Sequence, residues 1–481
     1  MTASHKSPNN KAPSARTPSP RSENPHLTLL ATFATWKAFL FAIAIGSTLL
    51  AGEAYDTSGS LVVRGPQAQS GAGGTVIATA DASGQQQLGH SHDHPYDGGF
   101  LTQLTARFTS WDAIYFVTQA RRGYRFEQEW AFGAGLPIVV RGLLFCLRSV
   151  GIAGHSEGEG ALQEALAGIF VANTAHLLSV FVLYRLGKLV LGNAKISLLA
   201  AILHIFSPAG MFLSAPYAES SFALLSFSGY LLFALSCVNE RRPAYRDAGL
   251  VASGVLFGLA TAFRSNGILN GVPFAFEVFR RLPSLYRRPV DTVRRLIALG
   301  IGGVCVAAGS VIPQAVAYQR LCSGASDVGE LRPWCQSLLP SIYTFVQEHY
   351  WNTGFLRYWT PGNIPLFLLA IPILAILAKS GVDQMTSSPQ LVATCKSADE
   401  SGQLSKLLQS AAVTQVLLAA LAITMYHVQI ITRISSGYPL WYWWLAGRLV
   451  RGNKTASHIV KFMIIYASIQ GVLFSLFLPP A

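Results

Sequence analysis

The segment LTLLATFATWKAFLFAIAIGSTLL, residues 27–50, establishes the class of this protein because it is an almost continuous apolar run. In a helix that rises about 1.5 Å per residue, it is long enough to cross a hydrocarbon core of about 30 Å. It lacks the short apolar core and clear cleavage site of a signal peptide, so it is predicted to be the first transmembrane helix. Residues 1–26 are rich in Ser, Pro, Asn and Lys, which predicts a disordered, basic, cytosolic tail.

Further apolar segments follow one another closely after residue 160. Lipid offers no hydrogen-bond partners to the backbone, so only helices or closed barrels, which satisfy their own backbone hydrogen bonds, cross a membrane. These segments lack the two-residue alternation of barrel strands. The chain is therefore predicted to be an all-α polytopic membrane protein of roughly 10–12 transmembrane helices, with residues 151–481 as its multi-spanning part. The segments are residues 165–184, 196–214, 216–237, 248–263, 265–279, 294–318, 363–378, 407–427, 438–449 and 459–478.

Composition supports the same class. Hydrophobic residues make up 51% of the 481 residues and charged residues only 12%, whereas a soluble domain carries about 25% charged residues. Lys and Arg outnumber Asp and Glu by 36 to 23, but they fall in short runs between apolar segments, which indicates membrane topology rather than nucleic-acid binding. The six cysteines form no CxxC motif, so neither a zinc site nor a redox motif is predicted.

The basic runs and the apolar segments together predict a topology. If the N-terminus is cytosolic and the crossings alternate, the polar, aromatic motifs collect on the luminal side of the membrane. This count requires residues 131–150 to form an interfacial or re-entrant helix, which Arg141 and Arg148 favour; a full crossing is the alternative. Four arginine pairs between the later apolar segments fall on the cytosolic side: Arg241-Arg242, Arg280-Arg281, Arg287-Arg288 and Arg294-Arg295.

The first luminal loop has two parts of different composition. Residues 51–100 are rich in Gly, Ser, Ala and Gln and are predicted to be a low-complexity luminal insertion. The run HSHDH, residues 90–94, has metal-binding side chains, but a flexible tract provides no fixed geometry, so no metal site is predicted. Residues 101–150 are predicted to be the catalytic part of the loop, with interfacial helices.

The catalytic part contains RFTSWDAIYF, residues 107–116, followed by Glu127 and Glu129. Carboxylates on the first extramembrane loop, Asp112 above all, lie at the mouth of a helical bundle, where a lipid-borne substrate and water both reach them. Ionisable groups at membrane depth usually mark a substrate path. The alternative is that Trp111 and Trp130 are interfacial anchors and that the acids are simply solvated.

Other polar residues are predicted to share this side of the membrane. Arg264, in AFRSNG, suits a phosphate group, which a planar guanidinium binds bidentately; a snorkelling arginine is the alternative. Glu219 is either an acid at a helix N-terminus, stabilised by the dipole, or an acceptor for a sugar hydroxyl. The remaining luminal candidates are Asn266, His349, Trp351, Asn352, Arg357, His427 and Arg433.

Cys322 and Cys335 both fall in a predicted luminal segment, residues 319–362. The oxidising luminal compartment permits disulfides, and the spacing of these two cysteines allows a closed loop. A disulfide bond between them is therefore predicted.

These motifs resemble those of the GPI mannosyltransferase 2 family. The resemblance extends in order from about residue 107 to residue 444, and the Gly-rich tract at 51–100 departs from the family pattern only by lengthening the first loop. The longest motif, YWNTGFLRYW, is also the most specific. The matching motifs are WD at 111–112 with YF at 115–116, GY at 123–124, EQEWAF at 127–132, SPA at 207–209, SA at 214–215 with Tyr217 and ES at 219–220, FRSNG at 263–267 and YWNTGFLRYW at 350–359.

The resemblance implies a multi-pass endoplasmic-reticulum glycosyltransferase of the GT-C type with a luminal active site. Its donor would be dolichyl-phosphate-mannose, and its acceptor the GPI glycolipid precursor, which receives the second mannose in α1,6 linkage. Lipids of that membrane surround the enzyme, a small membrane protein subunit is left open as a partner, and neither nucleic acid nor a cofactor is expected. No nucleotide-sugar motif occurs in the sequence, which a lipid-linked donor explains.

A β-linked donor and an α-linked product require inversion, hence one displacement with one general base. Asp112 is predicted to be that base, with Glu127 or Glu129 as the alternative or as the group that positions the acceptor. Arg264 and Arg357 are predicted to stabilise the leaving phosphate, with His349 and His427 as weaker candidates. The predicted substrate-binding set is Trp111, Glu219, Arg264, Asn266, His349, Trp351, Asn352, Arg357 and His427, with no metal.

Two other functions remain open from the sequence. One is transfer of a lipid-linked sugar to a different acceptor by an enzyme of the same type. The other is lipid transport or scrambling without catalysis, although no internal repeat of the kind common in transporters is evident.

Overall fold

The computed structural model of the chain describes residues 24–50, 62–63, 99–154, 160–323, 332–386 and 398–478. Within these ranges the regular structure is α-helix and 3₁₀-helix, with no strand. Eight described helices are long and apolar enough to cross a membrane, which confirms the predicted all-α polytopic membrane protein. Most of the predicted tail and low-complexity insertion, including residues 90–94, lies outside the described residues.

The N-terminal part of the fold contains one long helix and several short ones. The last of the short helices has only 15 residues, about 22 Å at 1.5 Å per residue, so it is too short to cross a core of about 30 Å. These elements are α1 (Pro25–Leu50), α2 (Phe100–Phe108), α3 (Ala113–Arg122), the 3₁₀ turn Glu127–Ala131 and α4 (Gly135–Ser149).

The central part contains four long helices and two short ones, and local sequence accounts for several boundaries. Gly192 takes a left-handed φ of 62° and ends one helix, and the side chain of Asn193 caps the next by accepting from the backbone N–H of Ile196. The helices are α5 (Leu162–Leu191), α6 (Ala194–Ile205), α7 (Glu219–Val238), α8 (Pro243–Phe263), α9 (Val272–Arg281) and α10 (Pro289–Leu321).

The C-terminal part completes the bundle. The side chain of Asn453 caps the last helix by accepting from the backbone N–H of Ala456. In the central part, proline stands in the first turn of α8, α9 and α10, where its missing N–H costs no helical hydrogen bond. The helices are α11 (Ile342–His349), α12 (Ile364–Thr386), α13 (Ala398–Thr424), α14 (Ile431–Ile434), α15 (Leu440–Val450) and α16 (Lys454–Ser475).

Three of the predicted apolar segments are short α-helices joined to 3₁₀ turns rather than single long helices. These are α6, α9 and α15, which have 12, 10 and 11 residues. In two of them a 3₁₀ turn replaces part of the predicted segment, and in the third the turn directly precedes the segment. Ser, Asn, Gly or Pro, residue types that favour turns, occur in or beside each turn. The turns are Gly210–Leu213, Ser265–Gly271 and Ser435–Gly437, and all three lie at the same end of the bundle.

The opposite end of the bundle holds a network of ion pairs. Arg295 contacts Glu240 at 2.5 Å and Glu277 at 2.6 Å, and Arg246 contacts Asp291 at 2.9 Å. These residues lie near the C-terminal ends of α7 and α9 and the N-terminal ends of α8 and α10. The arginines of this network and the polar aromatic motifs therefore lie at opposite ends of the bundle, as the charge pattern predicts.

Close backbone contacts fix the first loop against α8, and α8 against α10. A Cβ atom added to Gly133 would lie 2.1 Å from the backbone oxygen of Phe263, at the C-terminal end of α8. A Cβ atom added to Gly258 would lie 2.1 Å from the backbone oxygen of Cys305, on α10. Only glycine permits these approaches, and the first one brings the loop beside Arg264.

Candidate active site

A cavity of about 490 Å³ opens at the end of the bundle where the 3₁₀ turns gather. It collects side chains that are far apart in the sequence, from the first loop, the end of α8, the α11 region and the segment between α13 and α15. The lining includes Trp111, Asp112, Tyr115, Phe132, Arg264, Asn266, Tyr343, Gln347, Trp351, Tyr426, His427, Gln429 and Arg433.

Asp112 enters the cavity from the start of α3. Its side chain makes no capping hydrogen bond to that helix, so the carboxylate is available to other groups. Its Oδ2 atom accepts from Nη2 of Arg433 at 2.9 Å, and 35% of the side chain is exposed. The preceding residue, Trp111, has a φ of 58°, which is disfavoured for a side chain of this size, and its ring stacks on Phe477. Strained backbone of this kind often accompanies functional sites.

Glu219, the first residue of α7, is fully buried beneath the cavity. Its Oε1 atom accepts from Nη1 of Arg264 at 2.6 Å and from Nε of Arg433 at 2.9 Å. Asp112, Arg433, Glu219 and Arg264 thus form one continuous chain of ion pairs. Two carboxylates and two guanidinium groups balance, so the cluster carries no net charge.

Arg433 is the centre of this cluster. Its guanidinium lies 4.2 Å from the ring centroid of Phe212 and 4.9 Å from that of Tyr217, an arrangement that adds cation–π stabilisation. Burial alone would lower the pKa of Arg433, but Glu219 and Asp112 outweigh it and raise that pKa. The guanidinium therefore stays charged.

Arg264 follows α8 in an extended conformation, and its side chain is only 15% exposed. Glu219 engages one of its nitrogens, Nη1, while its Nε atom is buried without a hydrogen-bond partner. A guanidinium with unused N–H groups at a cavity wall suits an anionic oxygen group such as a phosphate.

The other cavity walls are aromatic or carry neutral polar groups. The rings of Tyr115 and Phe132 stack with centroids 4.6 Å apart, and Trp351 meets Phe132 edge-on at 5.5 Å. Burial lowers the pKa of His427, although the nearby Asp112 opposes this, so its imidazole is neutral at neutral pH. Gln347 and Gln429 add amide groups. Aromatic faces with amides and a neutral imidazole suit a sugar.

The other two predicted acids lie outside this cavity. Glu129 accepts from Arg122 at 2.5 Å and from the backbone N–H groups of Arg125 and Phe126 at 2.7 and 3.2 Å, which holds the turn before the 3₁₀ helix. Burial alone would raise the pKa of Glu129, but these hydrogen bonds outweigh it and lower that pKa.

Glu127 connects the first loop to the segment before α11 and to the C-terminal end of α11. Its carboxylate accepts from Nε1 of Trp334 at 3.0 Å and from the hydroxyl of Tyr350 at 3.2 Å, and Arg332 lies 3.4 Å away. The predicted disulfide between Cys322 and Cys335 is present next to this anchor, with Cα atoms 5.8 Å apart, which confirms that prediction.

Four residues of the predicted substrate-binding set do not line the cavity. Glu219 is buried beneath it. His349 stacks on Phe345, Arg357 lies on the surface 4.0 Å from Glu348, and Asn352 occupies a turn with a φ of 47°. Conversely, Arg433 lines the cavity, although the sequence gives this residue no specific role. Its motif ITRISSG carries no recognisable pattern, and only the fold reveals its partners. Among the described residues, no group of three or more His, Cys, Asp or Glu side chains is placed to hold a metal ion.

The chain is similar to known proteins in sequence. A family model described as mannosyltransferase (PIG-V) matches residues 99–481. The chain is 60% identical to GPI mannosyltransferase 2 of Chaetomium globosum, covering 95% of this chain and 97% of that relative. It is 42% identical to the protein of the same name from Gibberella zeae, covering 95% and 98%. The archaeal oligosaccharyltransferase AglB from Archaeoglobus fulgidus, in complex with an inhibitory peptide and a dolichol-phosphate, gives a TM-score of 0.40 at 11% identity, with this chain spanning 56% of its length.

Proposed function

The chain belongs to the PIG-V mannosyltransferase family, and from this premise we propose that it transfers the second mannose of the GPI anchor, in α1,6 linkage. The donor in this proposal is dolichyl-phosphate-mannose, and the acceptor is the GPI precursor that carries one mannose. The reaction would take place on the luminal side of the endoplasmic-reticulum membrane. Glycosyl transfer in GPI-anchor biosynthesis follows from the family itself, whereas the donor, the position of the mannose and the side of the membrane are proposed.

The observation that most supports the proposed function is that a carboxylate and a guanidinium group line the same cavity. Asp112 offers a carboxylate oxygen there that Arg433 does not engage, and Arg264 lines the same cavity with only its Nη1 atom engaged by Glu219. Inverting transfer from a phosphate-linked sugar needs one base for the acceptor hydroxyl and one cation for the leaving phosphate.

The proposed chemistry is a single displacement. Asp112 takes the proton of the acceptor hydroxyl as its oxygen attacks the anomeric carbon of mannose from the face opposite the phosphate. The bond between that carbon and the phosphate oxygen breaks, and dolichyl phosphate leaves with the electron pair. Arg264 stabilises the charge that develops on this oxygen. The sugar would lie among the aromatic rings and the amides of Gln347 and Gln429.

The remaining predicted residues take different places in this proposal. Trp111, Trp351, Asn266 and His427 stay in the substrate-binding set because they line the cavity. Glu127 and Glu129 hold the first loop in place, since their carboxylates are engaged by other groups. His349, Asn352 and Arg357 are left outside the contact set.

The proposal is tested by transfer in microsomes from cells that lack their own second mannosyltransferase and express this chain. Labelled dolichyl-phosphate-mannose is supplied with the one-mannose GPI precursor and, separately, with other lipid-linked acceptors. We expect label in a two-mannose GPI lipid whose new linkage is α1,6. Transfer only to the other acceptors would overturn the proposed acceptor. Lipid movement across the membrane with no transfer to any acceptor would overturn catalysis as the function.

A further inference from the structure

Glu219 lies beneath the cavity and does not line it. Its side chain has no exposed surface, and one oxygen, Oε1, accepts from both Arg264 and Arg433. The second oxygen, Oε2, is buried and has no hydrogen-bond partner within the described residues. A carboxylate of this kind acts through the two guanidinium groups that it holds, so a contact to a sugar hydroxyl is not its role.

Arg433 connects this buried carboxylate to the proposed base. It uses Nε for Glu219 at 2.9 Å and Nη2 for Asp112 at 2.9 Å, so one guanidinium group bridges the two carboxylates. The faces of Phe212 and Tyr217 further limit its movement. The orientation of Asp112 is therefore set through Arg433, and that of Arg433 through Glu219.

Asp112 and Arg264 line the same cavity and carry opposite charges. In a partly desolvated site such groups attract each other strongly. A direct pair between them would occupy the base and the phosphate-binding guanidinium at once. Glu219 competes for Arg264, and Arg433 competes for Asp112, so each of the two reactive groups already has a partner that leaves part of it free.

We propose that Glu219 and Arg433 are positioning residues that hold Asp112 and Arg264 apart, so that one serves as base and the other receives the phosphate. This inference rests on the proposed function of Asp112 and Arg264. It replaces the interpretation of Glu219 as a sugar-binding acid, and it assigns a role to Arg433.

The inference predicts opposite effects of two substitutions on the pH dependence of transfer. The charged and titratable groups that face Asp112 or share its cavity are Arg433, Arg264, His427, Tyr115 and Tyr217. Glu219→Gln removes one negative charge from the cluster and leaves both guanidinium charges. We therefore expect the acid limb of the pH profile of kcat to shift downward. Arg433→Met removes a cation from Asp112, and the acid limb shifts upward, each by about one pH unit.

Both substitutions should also lower kcat, by about 10²-fold, because small displacements of reacting groups are costly. The matched control is Asp291→Asn, which breaks an ion pair with the buried Arg246 at the opposite end of the bundle. We expect this control to reduce stability in detergent without moving the acid limb. A purely structural role for Glu219 would make Glu219→Gln behave like the control, and that result would overturn the inference.

Asp112→Asn is assayed in parallel, so that the base role of Asp112 and the positioning role of Glu219 are tested separately. Loss of transfer by this variant together with an unmoved acid limb in Glu219→Gln overturns only the positioning role. Full transfer by Asp112→Asn overturns the base and the positioning role together. If Glu219→Gln does not accumulate, Arg433→Lys is used, because one lysine nitrogen cannot contact both carboxylates in the same geometry. A wild-type kcat in that variant would overturn the inference.

Discussion

Asp112 is the residue on which the proposed chemistry depends. Arg433 engages one of its oxygens, while a third of the side chain is exposed to the cavity. Asp112→Asn keeps the size of the side chain but removes its ability to accept a proton. We expect transfer to fall by about 10²–10⁴-fold, the usual loss when a general base is removed, with unchanged protein levels in the membrane. The measurement is mannose transfer in microsomes, normalised to the amount of protein. Near-normal transfer would exclude Asp112 as the base.

Arg264 is predicted to act on the donor rather than on the acceptor. Arg264→Ala should raise the KM for dolichyl-phosphate-mannose and lower kcat, because both binding and departure of the phosphate lose a cation. Arg264→Lys should restore only part of the activity, since an ammonium cannot contact both Glu219 and a phosphate in the same planar geometry. Kinetics at varied donor concentration separate these effects. Equal KM values for the donor in all three proteins would exclude Arg264 from donor binding.

Single residues were predictable from the sequence only where a motif marks them. Asp112 and Arg264 stand in distinctive motifs, and both line the cavity. Hydropathy and charge indicate the side of the membrane on which a residue lies, but not which way its side chain points. Arg357 was therefore predicted beside the phosphate although it lies on the surface, and Arg433 was left without a role. The partners of Arg433 are 214 and 321 residues away in sequence, so only tertiary packing brings them together.

At the scale of elements, two neighbouring links fix the segment that leads into α11. Hydrogen bonds to Glu127 join this segment to the first loop, and the disulfide between Cys322 and Cys335 joins it to the C-terminal end of α10. We expect Cys322→Ser with Cys335→Ser to lower stability by about 2–4 kcal/mol, the usual contribution of such a bond. The measurement is the midpoint of thermal unfolding in detergent. Free alkylation of both thiols in the unreduced, denatured wild-type protein would contradict the disulfide.

Helix lengths were less predictable than helix existence. Apolar composition alone predicts a continuous span for residues 196–214, but the chain leaves α6 at Ile205 and passes through Ser207 and Pro208 into a 3₁₀ turn. Composition does not distinguish an α-helix from a 3₁₀-helix, because both bury the same side chains. The turns that interrupt these segments place Phe212 and Asn266 at the cavity, where a continuous helix would have carried the chain past it.

At the scale of the whole molecule, the protein has two chemically different ends. The cavity, with its balanced ion pairs, lies at one end, and the arginine-rich network around Arg295 lies at the other. The positive-inside rule assigns the arginine-rich end to the cytosol. This separation was predictable because it depends on the order of charges and apolar segments along the chain, and errors of a few residues in segment boundaries do not change that order.

This assignment has a direct test in glycosylation. Asn453-Lys454-Thr455 is the only N-x-S/T acceptor sequence in the chain, and Asn453 caps α16 at the arginine-rich end, with its side chain engaged by the backbone of Ala456. N-glycans are added only in the lumen, so the native protein should carry none. The substitution Gly73→Asn creates an acceptor sequence in the first loop, outside the described residues, and this variant should gain a glycan. The measurement is a change of electrophoretic mobility on glycosidase treatment. A glycosidase-sensitive shift of the native protein, or none in the Gly73→Asn variant, would place the cavity on the cytosolic side and remove the luminal donor from the proposed reaction.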